Sequence, residues 1–217
     1  MVISRSEAGA ERDGAIVEEA LPPQEVLFDW RESWKELESR FGLESDECAI
    51  FVSVSDQTLY LIRDEGIVRT YPVSTSKYGI GNREGSKKTP VGTHRISKKI
   101  GRGVRFGTIF ESRMNTGRVA AIYRDSTDTE EDLIATRILW LEGLVPGINR
   151  GHGVDSYERR IYIHGTHEEG LIGTPASNGC IRMRNRDVAE LFDLVRKGTL
   201  VEIQPEFRDD RSASGGS

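Results

Sequence analysis

The alternation of apolar and polar positions changes period twice along the chain. In residues 24–41, Leu27, Trp30, Trp34, Leu37 and Phe41 recur every three or four positions. That is one apolar stripe on a helix, which Gly42 ends. The two tryptophans read as anchors that dock the helix on a core. After Glu47 the period shortens. Residues 49–54 and 58–62 are β-branched and aromatic runs separated by Ser55-Asp56-Gln57, and residues 67–73 follow the turn Asp64-Glu65-Gly66. Together they predict a β-meander. Cys48, at the mouth of its first strand, reads as a buried, inert thiol. A loop rich in Gly, Ser and Lys spans residues 78–90, and a short strand covers 92–96. Between Lys98 and Arg160 the pattern is weakest: residues 134–141 read as a core strand and 143–154 as an irregular loop. Ile161-Tyr162-Ile163 then runs straight into His164. Near the C-terminus Val188, Leu191, Phe192 and Val195 mark a helix capped by Asn185 and ended by Gly198, and residues 199–203 read as a closing strand.

Composition narrows this picture. A chain of 217 residues that is 36% hydrophobic and 30% charged, with 23 Gly and 7 Pro, fits one globular domain with many turns. Residues 1–22 and 205–217 are polar and predict disordered tails; 23–47 form a helix and linker, and 48–204 the domain proper. The net charge of -5 is dispersed, which argues against a nucleic-acid partner. Lys87, Lys88, Lys98 and Lys99 read as solvated surface. Two cysteines so far apart are not a disulfide scaffold for a domain that builds its own core. No segment approaches the roughly 20 apolar residues of a membrane span, and residues 1–20 hold no signal-peptide core. That predicts a cytoplasmic chain or a start upstream of Met1.

The chemistry concentrates in residues 161–185. An apolar strand delivers His164, Gly165-Thr166 turns the chain, and a small-residue loop leads to Ser177-Asn178-Gly179-Cys180. A thiol on a turn this bare lets substrate approach the backbone closely. Its N–H groups suit an oxyanion hole, worth about 2.7–4 kcal/mol per donor. A thiol attacks as thiolate, and its free pKa of about 8.5 falls beside a cation. His164 offers an imidazole, and Arg182, two residues beyond Cys180, would share its face on an extended strand. Spacing dictates no acidic partner for His164, so a backbone carbonyl is as good a candidate to orient it as a carboxylate.

These strings resemble the L,D-transpeptidase (YkuD) catalytic domain, marked by a strand ending in His-Gly-Thr and a loop carrying Ser-x-Gly-Cys. Here they stand as His164-Gly165-Thr166 and Ser177-Asn178-Gly179-Cys180, followed by Ile181-Arg182-Met183. Residues 53–61, 68–76 and 89–93 resemble the family's opening hairpin and next strands, so the likeness covers about 48–204. It implies a mostly β fold, sandwich- or barrel-like, with the N-terminal helix flanking it and one C-terminal helix. It also implies a cysteine acyltransferase without a cofactor, acting as a monomer on peptidoglycan stem peptides in cell-wall cross-linking. Carried over, Cys180 is the nucleophile and His164 the general base and acid. Gly179 and Cys180 supply oxyanion N–H groups, Ser177 and Arg182 support the loop, and Gly165 and Thr166 place the histidine. Asn178 departs from the family pattern, where His or Arg is common. The family implies the cell envelope, against the cytoplasmic reading of the N-terminus.

Three alternatives remain open at this level. His164, His167, Cys180 and His152 are potential zinc ligands, although the lone cysteine lacks paired spacing and the resemblance implies no metal. A binding module without chemistry would have no need of both His164 and Cys180. Hydrolysis, by an L,D-carboxypeptidase or an amidase, would share the thioester and differ in the acceptor. His152 and His167 otherwise read as loop histidines, and His94 as structural.

Overall fold

The computed structural model describes residues 30–44, 46–64 and 66–205. The apolar stripe forms helix α1, Arg31–Phe41, and Gly42 ends it in the left-handed region at φ 69°, its N–H returning to the Glu38 carbonyl. Leu27 and the rest of 24–29 lie outside the described residues. Trp34 and Leu37 are buried against one face of the meander, made of β1 (Cys48–Ser53), β2 (Thr58–Arg63) and β3 (Gly66–Pro72). Strand alternation divides the labour: Ala49 and Phe51 meet α1, while Ile50 and Val52 enter the main core behind.

The remaining strands are β4 (Gly92–Ile100), β5 (Thr108–Glu111), β6 (Met114–Val119), β7 (Ile134–Gly143), β8 (Tyr162–Gly165), β9 (Ile181–Met183) and β10 (Leu200–Gln204). The sheet runs β3-β2-β1-β10-β4-β7-β5-β6, and β8 pairs with the other edge of β7, with β9 beyond it. An isolated bridge from Ser74, just past β3, to Arg182 on β9 joins the two ends of the path, so the sheet curls towards a barrel. The fold is mostly β with one helix at each end. Helix α2 (Asn185–Leu194) puts Val188, Leu191 and Phe192 into the core beside Ile163, Ile181 and Leu139. Each large apolar side chain buried there stabilises the fold by about 1.5–3 kcal/mol. No described helix is long and apolar enough to cross a membrane.

Several expectations are corrected. The hairpin β5–β6 was not foreseen. Asn185 does not cap α2: its side chain is buried and donates to the Thr166 carbonyl at 2.7 Å. Glu169 supplies the cap from outside the helix, its carboxylate accepting the Asn185 N–H at 2.9 Å. The helix ends at Leu194, before Gly198, which instead turns the chain into β10 at φ 95°. Lys99 is not free surface. Its ammonium donates to the Phe192 and Val195 carbonyls, each at 2.5 Å, capping the C-terminal end of α2.

His94, on β4, is structural in a way that gives a pH test. It is fully buried; Nδ1–H donates to the Gly92 carbonyl at 2.7 Å and Nε2 accepts from the Ser156 hydroxyl at 2.9 Å. Burial pushes its pKa down to about 4. The unfolded imidazole, near 6.5, therefore binds a proton that the folded one refuses. Stability falls as pH drops through this window, by about 3 kcal/mol once it is crossed. Glu202, buried and pushed up to about 7, acts in the opposite sense, losing its contribution as pH rises. The readout is therefore a difference. On going from pH 7.5 to 4.5, the urea midpoint of His94→Gln should rise relative to that of wild type, because the variant no longer loses the His94 contribution that offsets the Glu202 gain, and equal shifts would remove His94 from the account.

Candidate active site

Strand β8 carries Tyr162 and His164 on one face, and the parallel strand β9 sets His164 opposite Arg182. Cys180 precedes β9 and lies against Tyr162, whose backbone N–H points at Sγ from 3.4 Å. The thiol in turn lies 3.5 Å from the Arg160 carbonyl. His164 thus lies on the same strand as Tyr162, the sulfur's neighbour, two residues along. Its Nδ1–H donates to the Gly165 carbonyl at 2.8 Å, which leaves Nε2 as the nitrogen able to take a proton. A backbone carbonyl, not a carboxylate, orients the ring. Gly165 admits no side chain there, since a Cβ would sit 2.6 Å from Asn185 Oδ1 and 2.7 Å from the Ala135 carbonyl.

The turn before Cys180 is held by Ser177. Its hydroxyl donates to the Cys180 carbonyl at 2.6 Å and accepts the Gly179 N–H at 3.1 Å. Gly179 sits at φ 125°, a backbone setting that disfavours any side chain, and the Thr89 hydroxyl fixes its carbonyl at 3.1 Å. With the Gly179 N–H occupied, the Cys180 N–H is the donor of that pair which Ser177 leaves free. Thr166 accepts the Glu168 N–H, and its own N–H reaches the Met183 carbonyl, tying the histidine turn to β9.

Two residues that sequence reasoning missed organise the rest. Glu168 is buried and pairs with Arg182 at 2.7 Å, while its other oxygen accepts from Thr129. Asp132 pairs with the same guanidinium at 2.8 Å and also accepts the Asn178 backbone N–H at 3.2 Å and side-chain amide at 3.1 Å. Asn178 is therefore half of a clasp between the 120–133 loop and the cysteine turn. Arg182 spends its charge on two carboxylates rather than on the thiol. His167 turns towards the Thr129 hydroxyl at 2.8 Å, and His152 is exposed on its loop. Among the described residues, no group of three or more His, Cys, Asp and Glu is placed to hold a metal ion. Both cysteines are free thiols.

The electrostatics differ from expectation. Burial and then the Asp132 carboxylate push the Cys180 thiol up to about 12, although the residue keeps some exposure to solvent. His164 is lowered by burial, partly offset by Asp132 and by the Gly165 carbonyl. The resting pair is therefore a neutral thiol and a neutral imidazole. The Arg182 guanidinium still favours the thiolate, but burial and the Asp132 carboxylate outweigh it.

The family model for the L,D-transpeptidase catalytic domain, YkuD, matches residues 48–203. The chain belongs to the L,D-transpeptidase YkuD family. Among curated relatives, the Bacillus licheniformis protein named as an L,D-transpeptidase YkuD is 56% identical over 43 residues, 20% of this chain and 26% of that protein. The Bacillus subtilis protein named as an L,D-transpeptidase YqjB is 44% identical over 59 residues, 27% of this chain and 34% of its own. The chain thus matches about a quarter to a third of the length of these two relatives. A solved structure of LD transpeptidase LdtMt1 in complex with imipenem aligns at 22% identity with a TM-score of 0.45, over 73% of this chain and 59% of that one.

Proposed function

We propose that this chain is a cysteine acyltransferase of peptidoglycan stem peptides, with Cys180 as nucleophile and His164 as general base. The observation that carries the reading is the fixed His164 tautomer. Nδ1 is committed to the Gly165 carbonyl, so Nε2 is the nitrogen left to act as a base, on the strand whose Tyr162 N–H meets the thiol. In the first half-reaction Nε2 takes the thiol proton as Sγ bonds to the carbonyl carbon of the stem's third, diamino-acid residue. The oxygen becomes an oxyanion facing the Cys180 N–H. The C–N bond to the terminal D-alanine then breaks, with the proton passing from His164 to the departing amine. A thioester remains. In the second half-reaction an acceptor amine gives its proton to Nε2 and attacks the thioester, restoring the thiol. Water in place of the amine gives hydrolysis.

The test is incubation with a defined tetrapeptide stem and analysis of products by mass. A cross-linked dimer with free D-alanine is the expected result. Tripeptide alone would reassign the chain to hydrolysis, and no change would return it to a binding role.

The neutral resting pair predicts an unusual pH profile. Activity on free enzyme needs neutral His164, so kcat/KM should fall only below about pH 6.5, the unperturbed imidazole range or lower. A thiol near 12 contributes no limb at mildly alkaline pH, so the profile should stay flat to about pH 9. A bell with its alkaline limb near 8 would instead indicate a preformed thiolate–imidazolium pair.

A further inference from the structure

One cation beside the thiol has no carboxylate partner. Arg159 is half-buried, with Nη1 donating to the Gly81 carbonyl at 3.2 Å and Nη2 to the Lys88 carbonyl at 2.6 Å. The same Lys88 oxygen lies 3.4 Å from the place a Cβ would take on Gly179, so the guanidinium sits against the Gly179–Cys180 turn. Among the described residues no carboxylate lies within ion-pair distance of it. Glu84 and Glu158 line the same cavity, of about 390 Å³, together with Lys87, Arg160 and Asn178. The contrast with Arg182, held by two carboxylates, is plain.

Neighbouring cations are placed for other contacts. The Lys87 ammonium lies over the Tyr78 ring at 5.7 Å, the Arg113 guanidinium lies over Trp140 at 4.8 Å, and Arg160 is exposed. Arg159 alone of these is fixed by two backbone carbonyls. It still keeps further N–H groups for a ligand.

A reaction that releases one terminal residue must tell a chain end from an internal bond. The mark of the end is a carboxylate two bonds beyond the scissile nitrogen. A group that reads it has to sit within several ångströms of the nucleophilic sulfur, and a fixed guanidinium matches a carboxylate in a bidentate way. We propose that Arg159 is the specificity residue that binds the α-carboxylate of the terminal residue released from the donor. This rests on the function proposed above, and the test has one arm that does not.

That arm compares alkylation of Cys180 by iodoacetate and iodoacetamide, which differ in charge, with peptide mapping to separate Cys48. Wild type should show an iodoacetate-to-iodoacetamide rate ratio at least about fivefold above that of Arg159→Gln, with Arg159→Lys between them. Equal ratios overturn the assignment. The second arm compares tetrapeptides ending in a free carboxylate and in a carboxamide. Wild type should favour the carboxylate by about 30-fold or more in kcat/KM, and in Arg159→Gln the ratio should fall towards one through loss on the carboxylate peptide. Equal losses on both peptides would reduce Arg159 to a support for the 81–88 loop and overturn the proposal. If wild type turns over neither peptide, the proposed function fails, and the alkylation ratio still decides whether Arg159 forms an anion site.

Discussion

Cys180→Ala protein should form no thioester with a tetrapeptide donor and retain less than about one part in ten thousand of wild-type turnover. The substitution removes the atom that bonds to the acyl group, and the hydroxyl on the same turn, that of Ser177, is committed to the Cys180 carbonyl and the Gly179 N–H. Cys48 cannot substitute for it, being buried at the start of β1 behind the sheet. The fold should survive, because the cysteine side chain is only partly buried and Ser177, Thr89 and Gly179 hold the turn through backbone atoms. His164→Gln should cost about a hundredfold to ten-thousandfold, since Gln can still reach the Gly165 carbonyl but cannot accept the thiol proton. The two effects should not add. Residues that act as one unit lose nearly everything with the first removal, so the double variant should match Cys180→Ala. The measurements are intact mass for the acyl-enzyme and product release for the rate. A Cys180→Ala rate within a hundredfold of wild type would discard the mechanism.

Where a local pattern carried the information, the sequence was readable. The α1 stripe from Trp30 to Phe41 with Gly42 behind it, and the β-branched and aromatic runs of β1 and β2 bounded by turn residues, mark their own elements, and the described residues form a helix and two strands there. The hairpin β5–β6 was illegible for a physical reason. Met114 is 73% exposed and β6 has no buried face to impose alternation, while its turn residues Ser112 and Arg113 take positive φ without a glycine to signal it. The helix caps were illegible differently. Asn185 looked like a cap by composition, but the group that caps α2 is Glu169, sixteen residues earlier in sequence.

The site divides along the same line. His164-Gly165-Thr166 and Ser177 to Cys180 are contiguous strings, and the roles proposed for them could be read locally. Asp132 could not. It is one of five acidic residues between 125 and 132, and nothing nearby in sequence distinguishes it from Glu130 or Glu131. Glu168 likewise follows a histidine and precedes another glutamate. Their importance comes from Arg182, brought to them by the parallel pairing of β8 and β9. Sequence also assigned Arg182 to the thiol because both lie on one face. The fold places two carboxylates nearer to hand, and that competition is a property of packing.

Arg182→Met should accordingly be the most destabilising single change in this region, lowering stability by about 3–5 kcal/mol. The substitution leaves Glu168 buried without its guanidinium, beside Thr129 and the His167 imidazole at 3.9 Å, which burial keeps towards its neutral form. For a domain of this size that corresponds to a fall in Tm of about 6–20 °C. Asp132→Asn should behave differently, because its carboxylate is partly exposed and Arg182 keeps Glu168. Its stability loss should stay near 1 kcal/mol, within the range of a partly exposed pair. Its kinetic loss should be larger, because the clasp on Asn178 loosens and with it the turn that presents Cys180. Removing the Asp132 charge also removes one of the two effects that raise the thiol, so iodoacetamide should label Cys180 faster in this variant even as turnover falls. Thermal melts and alkylation rates on the two variants separate the roles. Arg182→Met melting within about 2 °C of wild type would mean that the buried carboxylate finds another partner, and would leave the Arg182 pair without structural weight.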